Sequence, residues 1–355
     1  MALGKPDPIR GPAVAGAALA GLAAVLFGFS TPLVQRFGQG LGPFWTAALL
    51  YAGAAAAGLL LRQPALREAR LGRKDLPWLI GVAFFGALVG PVALAWGLQR
   101  VGGTGASLML TLEALFTAGL ARVLYGETMG RRVWLAMLAL LAGGMLLVAD
   151  QVRGSDPVGV LGLAAVLLAT AAWGTDNALS RALADRDPGQ VVLAKSALGA
   201  SCTLALALAV GEPFPTATAA VALLAIGAVG YGLSLRFYLL AQRRFGAART
   251  GSVFACAPFV GAIGALALGD RSGSWLMGAA GGLMAAGVWA HLAERHEHWH
   301  QHEASEHEHA HRHDDGHHDH WHEPMPAGAH SHGHQHTPVR HAHPHAPDLH
   351  HQHRH

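Results

Sequence analysis

Apolar stretches of about 20 residues recur along residues 12–292 of this sequence, and short polar or charged connectors separate them. An α-helix of about 20 apolar residues crosses the hydrocarbon core of a bilayer, where only a helix or a closed barrel satisfies its backbone hydrogen bonds. With 52% hydrophobic and 13% charged residues, the chain is also more apolar than a soluble domain of this length. The pattern predicts a polytopic membrane protein of the all-α class.

The connectors divide the apolar region into about ten predicted transmembrane helices. Glycine is abundant, with 46 residues in the chain, and small residues let membrane helices approach closely. The first span is too long for the apolar core of a cleaved signal peptide, so we expect it to be retained. The predicted spans lie near 12–34, 43–61, 77–98, 104–124, 132–149, 157–180, 190–210, 217–240, 248–268 and 273–292.

Basic residues in the connectors predict the orientation of the helices. Connectors on the cytoplasmic side of a membrane carry an excess of lysine and arginine. An even number of spans then brings both termini to the cytoplasmic side of the cell membrane. The basic residues concentrate in alternate connectors, at 62–74, 131–132, 181–186 and 243–249.

The apolar region also contains an internal repeat. Residues 99–127 align without gaps on residues 242–270 at a constant offset of 143 (242 − 99 = 143), with Glu127 opposite Asp270. Because this offset spans five helices, an odd number, the second half would enter the membrane inverted relative to the first. The predicted domains are two inverted five-helix repeats and a tail, at 12–150, 156–292 and 293–355.

Three short motifs add to this architecture. The sequence FGFSTPL opens the first half, Gly-Glu and Gly-Asp pairs end the fourth helix of each half, and APFVGAIGAL surrounds Pro258. Together these features resemble the EamA-type branch of the drug/metabolite transporter superfamily over about residues 12–292. The resemblance implies a secondary transporter of small molecules without indicating which one, since members carry different solutes. One departure is Glu113, which stands where many members have a proline in the fourth helix.

Glu113 is the first candidate transport residue. A charge at the bilayer centre costs about 2.5–3.5 kcal/mol on insertion scales, so helices that keep one usually turn it toward a cavity or a partner. Glu113 lies in mid-helix, where desolvation disfavours its charged form. We predict that it couples transport to protons or to the substrate, whereas Arg122 and Arg236 lie nearer to helix ends and are expected to reach the interface.

A second group of candidates lies on the sixth and seventh spans. Asp176 and Asn177 follow Gly174, which can loosen the helix near the binding level. Trp173 is deep enough in its span to line a cavity. Lys195 lies on the next span, and two alternatives stay open for it: a part in transport, or a buried structural pair with Asp176.

All 24 histidines lie at or after His291, in a tail that alternates histidine with acidic and small residues. From residue 290 onward, four arginines and ten acidic residues give a formal charge of 4 − 10 = −6 with neutral histidines. With almost no aliphatic residues to bury, the tail is expected to be disordered. Imidazole is a common ligand for zinc, nickel, copper and cobalt. The predicted metal ligands are His296, His298, His300, His302, His307, His309, His311, His313, His317, His318, His320 and His322.

These features favour one function over two others. The apolar body contains no histidine and no paired cysteines, so it lacks soft ligands along a metal path. We therefore predict a secondary active transporter that exports a small metabolite or drug-like solute, with proton coupling through Glu113 and a metal-binding regulatory tail. The alternatives are a divalent transition-metal exporter fed by the tail, and a membrane-anchored metal sensor or buffer.

Other classes of function lack support in the sequence. The body has no nucleophile motif, phosphate loop or metal-ligand set, so an enzyme is not expected, and no cofactor is required. The expected partners are the lipid bilayer, a small-molecule substrate and divalent metal ions, and a nucleic-acid partner is not expected. Neither composition nor spacing decides the substrate, the direction of transport or the oligomeric state, and a homodimer stays open.

Overall fold

The structure is a computed structural model in which part of the chain is described. The described residues comprise the helical body, almost completely, and four segments of the tail. They are 10–63, 69–125, 130–153, 157–183, 186–245, 247–292, 297–301, 305–311, 330–336 and 340–344.

Ten helices make up the body, and several of them combine more than one helical segment. In the first half, α1 is Arg10–Phe37, α2 is Pro43–Leu61, α3 joins Arg73–Asp75, Leu76–Ala83, Phe84–Val89 and Gly90–Leu98, α4 joins Gly103–Met109, Leu110–Leu112 and Glu113–Tyr125, and α5 is Arg131–Arg153. In the second half, α6 joins Pro157–Ser180 and Arg181–Leu183, α7 is Pro188–Ala209, α8 joins Ala217–Ile226, Gly227–Leu233 and Ser234–Phe245, α9 joins Ala247–Phe254 and Ala257–Ala267, and α10 is Trp275–Leu292.

The helices have the length and composition of membrane spans. Within the described residues, nine helices are long and apolar enough to cross a bilayer, and the apolar part of α10, Trp275–Ala290, is shorter. Large apolar side chains such as Leu60 and Val123 face outward, with exposed fractions of 83% and 79%. Such a surface suits lipid rather than water. The prediction of a polytopic all-α membrane protein is confirmed.

Interruptions of the helices recur at the offset found in the sequence. The π-helical turns of α3 and α8 begin at Phe84 and Gly227, 143 residues apart (227 − 84 = 143). Helix α4 is interrupted by the 3₁₀ turn that ends at Leu112, and α9 by a turn at residues 255–256. Interruptions at equivalent positions are expected of two copies of one five-helix unit. The domain boundaries and the inversion of the second half stay predictions.

The contacts between helices are also related by the offset of five helices. Helix α2 packs along α7, and α5 packs along α10. Helix α1 packs against α8 and α9, while α6, which follows α1 by five helices, packs against α3 and α4. Each of these contacts keeps its form when the two halves are exchanged, so the halves interlock.

Glycine also allows a close approach where α2 crosses α8. A Cβ atom at Gly227 would lie 1.9 Å from the carbonyl oxygen of Leu50, and one at Gly53 would lie 2.0 Å from that of Leu224. Any side chain at either position would push the two helices apart. Close backbone contact through small residues is the main source of helix association in lipid.

Carboxylates fix the beginnings of α2 and α7. Glu212, from the connector after α7, accepts hydrogen bonds from the backbone N–H groups of Phe44 (3.1 Å) and Trp45 (2.8 Å). Asp187 accepts from the N–H groups of Gln63 (3.0 Å) and Gly189 (2.9 Å). A carboxylate satisfies the free N–H groups of the first helical turn and complements the helix dipole. These contacts join the ends of α2 and α7 on both sides of the membrane.

Four tail segments form strands. Strand β1 (Glu297–Gln301) pairs antiparallel with β4 (Arg340–Pro344), and β2 (Ser305–His311) pairs with β3 (His330–His336). The sequence predicts no regular structure here. The described segments differ because alternation of histidine with another residue has the period of two of a β-strand. The rest of the tail lies outside the described residues, so its disorder as a whole stays a prediction.

Candidate functional site

The site forms around a backbone carbonyl in the π-helical turn of α3 that has no hydrogen-bond donor within its own helix. In this turn the N–H of Gly90 donates to the carbonyl of Phe85, five residues earlier. The next residue, Pro91, has no N–H, so this π pattern provides no helical donor for the carbonyl oxygen of Gly86. That oxygen instead accepts hydrogen bonds from the indole Nε1–H of Trp173 at 3.0 Å and from the hydroxyl of Tyr51. One residue of α3 thus holds side chains from α2 and α6.

Gly86 also makes room for a buried ion pair. A Cβ atom at Gly86 would lie 2.3 Å from Oδ2 of Asp176. This same oxygen accepts from Nζ of Lys195 at 2.5 Å, and the side chains of Asp176 and Lys195 are only 6% and 4% exposed. Oδ1 faces the hydroxyl of Ser180 at 3.4 Å. The pair joins α6 to α7 beside α3, and both charges are compensated.

The neighbouring residue on α6 holds the second carboxyl. Nδ2 of Asn177 donates to Oε1 of Glu113 at 2.5 Å. Successive residues of a helix point about 100° apart, so Asp176 faces α7 while Asn177 faces α4. Gly174 permits the close approach of α4 and α6, since a Cβ atom there would lie 3.2 Å from the carbonyl oxygen of Glu113. Glu113 begins the last segment of α4, directly after the 3₁₀ turn, and is half-buried.

Aromatic rings line the other side of this region. The ring of Phe27 on α1 lies 5.5 Å from Trp173, 5.6 Å from Tyr231 and 5.5 Å from Phe254, measured between centroids. The ring of Tyr238 on α8 lies 5.0 Å from that of Phe254. These separations are typical of edge-on and tilted aromatic contacts. Apart from Trp173 on α6, these aromatic residues come from α1, α8 and α9.

Two helix segments beside these contacts are partly exposed along their whole length. Residues 113–120 of α4 and residues 251–256 of α9 are half-buried at every position, although a helix packed on one side would alternate buried and exposed positions. Phe27 and Asn177 are half-buried as well. We interpret these segments of α4 and α9 as the walls of a crevice, in which Glu113 follows directly on the fully buried part of α4.

The opposite end of α4 is capped by a carboxylate from the connector after α9. Residues 103–112 are all buried, and Asp270 Oδ2 accepts from the N–H of Thr104 at 2.9 Å and from its hydroxyl at 3.0 Å. Gly261 of α9 packs so closely that a Cβ atom there would lie 2.8 Å from the hydroxyl oxygen of Ser107. Partial burial alone would raise the pKa of Asp270, but hydrogen bonds from Ser272 and Thr104 keep it below the ordinary value.

The predicted transport residues meet in two contacts. Glu113 contacts Asn177, and Asp176 contacts Lys195. Trp173 lies in the same region and donates to the backbone carbonyl of Gly86 on α3. The structural pair that the sequence left open for Lys195 is thus observed as a contact, while the roles of all five residues in transport stay predictions.

Several residues of the site were not identifiable as such from the sequence. Tyr51 and Gly86 look like ordinary residues of apolar spans, because their role depends on neighbours from other helices. Phe27 begins the FGFSTPL motif, but the motif does not show which rings it contacts. Pro91, inside an apolar span, is a visible signal of an irregular helix. It could have directed attention to the turn that precedes it.

Most of the predicted metal ligands lie outside the described residues. In the described helices, no group of three or more histidine, cysteine, aspartate or glutamate residues could hold a metal ion. The tail ligands that fall within strand segments are His298, His300, His307, His309 and His311. Those that lie outside the described residues are His296, His302, His313, His317, His318, His320 and His322.

Comparisons with known proteins agree with this architecture. Residues 14–149 match the model of the EamA-like transporter family. A protein of Methanothermobacter thermautotrophicus described as an uncharacterized transporter is 26% identical over 284 residues, which cover 75% of this chain and 82% of that protein. A crystal structure with no functional description has a TM-score of 0.55 at 23% identity, covering 77% of this chain and 95% of its own, and shows likeness of fold alone. The family match and the relative both point to a membrane transporter.

The ion pair makes a testable prediction about stability. Lys195→Met leaves the carboxylate of Asp176 buried without its cation, and we expect a loss of about 3–5 kcal/mol in the free energy of unfolding. Asp176→Asn should destabilise similarly, by leaving the ammonium unpaired. The double variant removes both charges and should recover a large part of the loss. Unfolding of the purified protein in detergent measures all three, and single variants as stable as the original protein would contradict the contact.

Proposed function

We propose that the chain is an EamA-type transporter of the drug/metabolite transporter superfamily, which exports a small metabolite or drug-like solute by secondary active transport. The family match covers the first half, and the recurrence of helix interruptions at an offset of 143 residues supports extending it to the second. One observation carries the proposal: Glu113, a carboxyl within the helical body, binds Asn177 where the buried part of α4 gives way to its half-buried segment.

The crevice supports a mechanism of alternating access. At one end α4 and α9 are held together by Asp270 and Thr104, and at the other end their half-buried segments border the open space. A solute that enters the crevice can leave on the opposite side only if the closed contact opens and the open end closes. Two inverted repeats can exchange these arrangements with little change inside each helix.

Glu113 is suited to couple this exchange to protons. An ionised carboxylate inside the membrane body is costly unless a cation or donors compensate it, whereas the protonated form has no net charge. The side-chain amide of Asn177 can donate to the carboxylate through its nitrogen or accept from the protonated acid through its oxygen. Proton binding can therefore change the charge of the crevice without loss of the contact between α4 and α6.

The coupling role predicts the behaviour of Glu113→Gln, which keeps the size of the side chain but cannot bind or release the proton. Proteoliposomes with the original protein are expected to accumulate at least one solute from a metabolite extract under an imposed pH gradient, as identified by mass spectrometry. The variant should lose gradient-driven accumulation and retain exchange of the same solute. The matched control Asp150→Asn, near the end of α5, should keep both. Unchanged pH dependence in Glu113→Gln would exclude this residue as the coupling group.

We further propose that the protein lies in the cytoplasmic membrane with both termini in the cytoplasm. The observation behind this is the alternation of basic and less basic connectors between the helices. In this orientation the crevice between α4 and α9 opens to the cytoplasm, as an exporter requires for loading.

The orientation predicts which connectors an impermeant thiol reagent can reach. In a background with Cys202 and Cys256 replaced by serine, Arg70→Cys should react only from the cytoplasmic side. Arg153→Cys, the same substitution in the connector after α5, should react only from the outside. Labelling of intact cells and inverted vesicles gives the comparison, and reaction of both positions from one side would overturn the topology.

The tail is proposed as a metal-binding accessory on the cytoplasmic side that is not part of the translocation path. All histidines lie in the last part of the chain, and within the described helices no metal-holding cluster was found. Imidazole nitrogens at alternate positions of a chain can bind nickel, zinc, copper or cobalt. The alternatives are a metal exporter that the tail supplies, and a membrane-anchored sensor or buffer.

Truncation after Leu292, which preserves α10, separates these three functions. We expect the truncated protein to lose most of its nickel and zinc binding and to transport its solute as before in metal-free buffer. A metal exporter would instead transport nickel or zinc in proteoliposomes, and cells that lack it would be sensitive to those metals. A sensor or buffer would transport nothing in either form. Unchanged metal affinity after truncation would contradict the assignment of binding to the tail.

A further inference from the structure

We propose that the strands of the tail form metal sites in which a divalent transition ion such as zinc bridges histidines that lie opposite one another on paired strands. This inference rests on the proposed metal-binding role of the tail and identifies the ligands for that role. It comes from the register of the two strand pairs and from the residue types that occupy each face of the strands.

The register places histidine opposite histidine in both strand pairs. Within the described strands, every histidine of β1 and β2 has a histidine as its partner. The partners all lie in β3 and β4, beyond the stretch from which the sequence predicts ligands. The pairs are His298 with His343, His300 with His341, His307 with His334, His309 with His332, and His311 with His330.

A shift of one residue would give a different pairing. Side chains alternate between the two faces of a strand, so such a shift exchanges the residues that lie opposite each other. In β2 and β3 it would place Glu306 and Glu308 opposite histidines, where opposite charges favour pairing without any metal. Two histidines in opposite positions have no such complementary charges. The observed register instead brings nitrogen ligands together.

The spacing within a strand pair suits a single ion. Opposite residues of an antiparallel pair have Cβ atoms about 4.5–5.5 Å apart, and residues two positions apart on one strand are separated by about 7 Å. Residues at alternate positions share a face, so all the histidine pairs of one strand pair lie on the same face. Two adjacent pairs therefore provide four imidazoles, enough for the three or four protein ligands of a zinc site.

The residue types on the histidine face favour a transition ion over a hard cation. Glu297, Glu306 and Glu308 occupy the alternate positions and therefore belong to the other face. Calcium and magnesium prefer oxygen ligands, whereas imidazole suits zinc, nickel and copper.

A bridging ion also supplies stability that these strand pairs otherwise lack. A two-stranded sheet is at best marginally stable by itself in water. The four described strands contain no valine, isoleucine or leucine that could form an apolar face. Bonds from one ion to histidines of both strands would hold the strands together.

Zinc titration of the purified full-length protein by calorimetry tests the pairing. Three variants each replace three histidines by threonine, which retains β propensity. The β2 and β3 variants should lose the same bound zinc, so their combination should lose no more than either one alone. The β2 variant and the control variant should lose zinc independently, so their losses should add. The substitutions are His307→Thr, His309→Thr and His311→Thr in β2, His330→Thr, His332→Thr and His334→Thr in β3, and His317→Thr, His318→Thr and His320→Thr in the control.

Spin labels test the register itself. Ala310 lies opposite Ser331, at positions that alternate with the histidine pairs. Labels on Ala310→Cys and Ser331→Cys, with Cys202 and Cys256 replaced by serine, should show strong dipolar broadening in the zinc-bound protein. Protein labelled at Ala310→Cys alone is the control and should show none. Absence of broadening in the doubly labelled protein, or additive zinc losses in the β2 and β3 variants, would overturn the proposal.

Truncation after Leu292 distinguishes failure of this inference from failure of the proposed role of the tail. If the truncated protein binds zinc as before, both proposals fall. If truncation removes zinc binding but the losses of the β2 and β3 variants add, the tail binds metal through local histidines and the paired sites fall. Loss of binding on truncation, together with equal and non-additive losses in the two variants, would support both.

Discussion

The arrangement of the site depends on the backbone carbonyl oxygen of Gly86, which has no hydrogen-bond donor within α3. It is available because Gly90 donates to Phe85 and because Pro91 has no N–H group to donate. In lipid an unsatisfied carbonyl is costly, so the oxygen requires donors from other helices. Trp173 and Tyr51 provide them. A local irregularity of α3 thereby fixes the positions of α2 and α6 around the membrane interior.

The position of Asp176 follows from the same residue. Because Gly86 has no side chain, the carboxylate can approach the backbone of α3 and meet Lys195 there. Once Asp176 points to α7, the helical period directs Asn177 to α4 and to Glu113. The ion pair and the available carboxyl are therefore two consequences of one stretch of α6. One of them stabilises the helical body and the other is open to the crevice.

The internal repeat preserves the helix interruptions but not the charged residues of the site. At the offset of 143 residues, Leu33 corresponds to Asp176 (176 − 143 = 33), Ala52 to Lys195 (195 − 143 = 52) and Cys256 to Glu113 (113 + 143 = 256). The two carboxyls and the ammonium are thus absent from the equivalent positions. Aromatic residues of α1, α8 and α9 contact one another in the same region. Two copies of one helical unit can exchange conformations. An asymmetric lining can give the crevice a preference for one kind of solute.

The sequence by itself determined the class of fold and the candidates for transport. Apolar stretches of span length predict the helices because lipid forces each backbone to satisfy its own hydrogen bonds. Glu113, Asp176 and Lys195 could be selected because an ionisable group inside a span is costly and needs a reason. Neither argument requires knowledge of neighbouring helices.

Only the tertiary structure decided which groups meet. Three contacts depend on how distant helices cross. They are those of Asn177 with Glu113, of Phe27 with Trp173, and of Trp173 with the carbonyl of Gly86. Those crossings are set by close backbone contacts such as that of Gly227 with Leu50. A glycine in the sequence shows that close approach is permitted but not which helix approaches. For that reason the apolar pattern determines the helices, and packing determines the site.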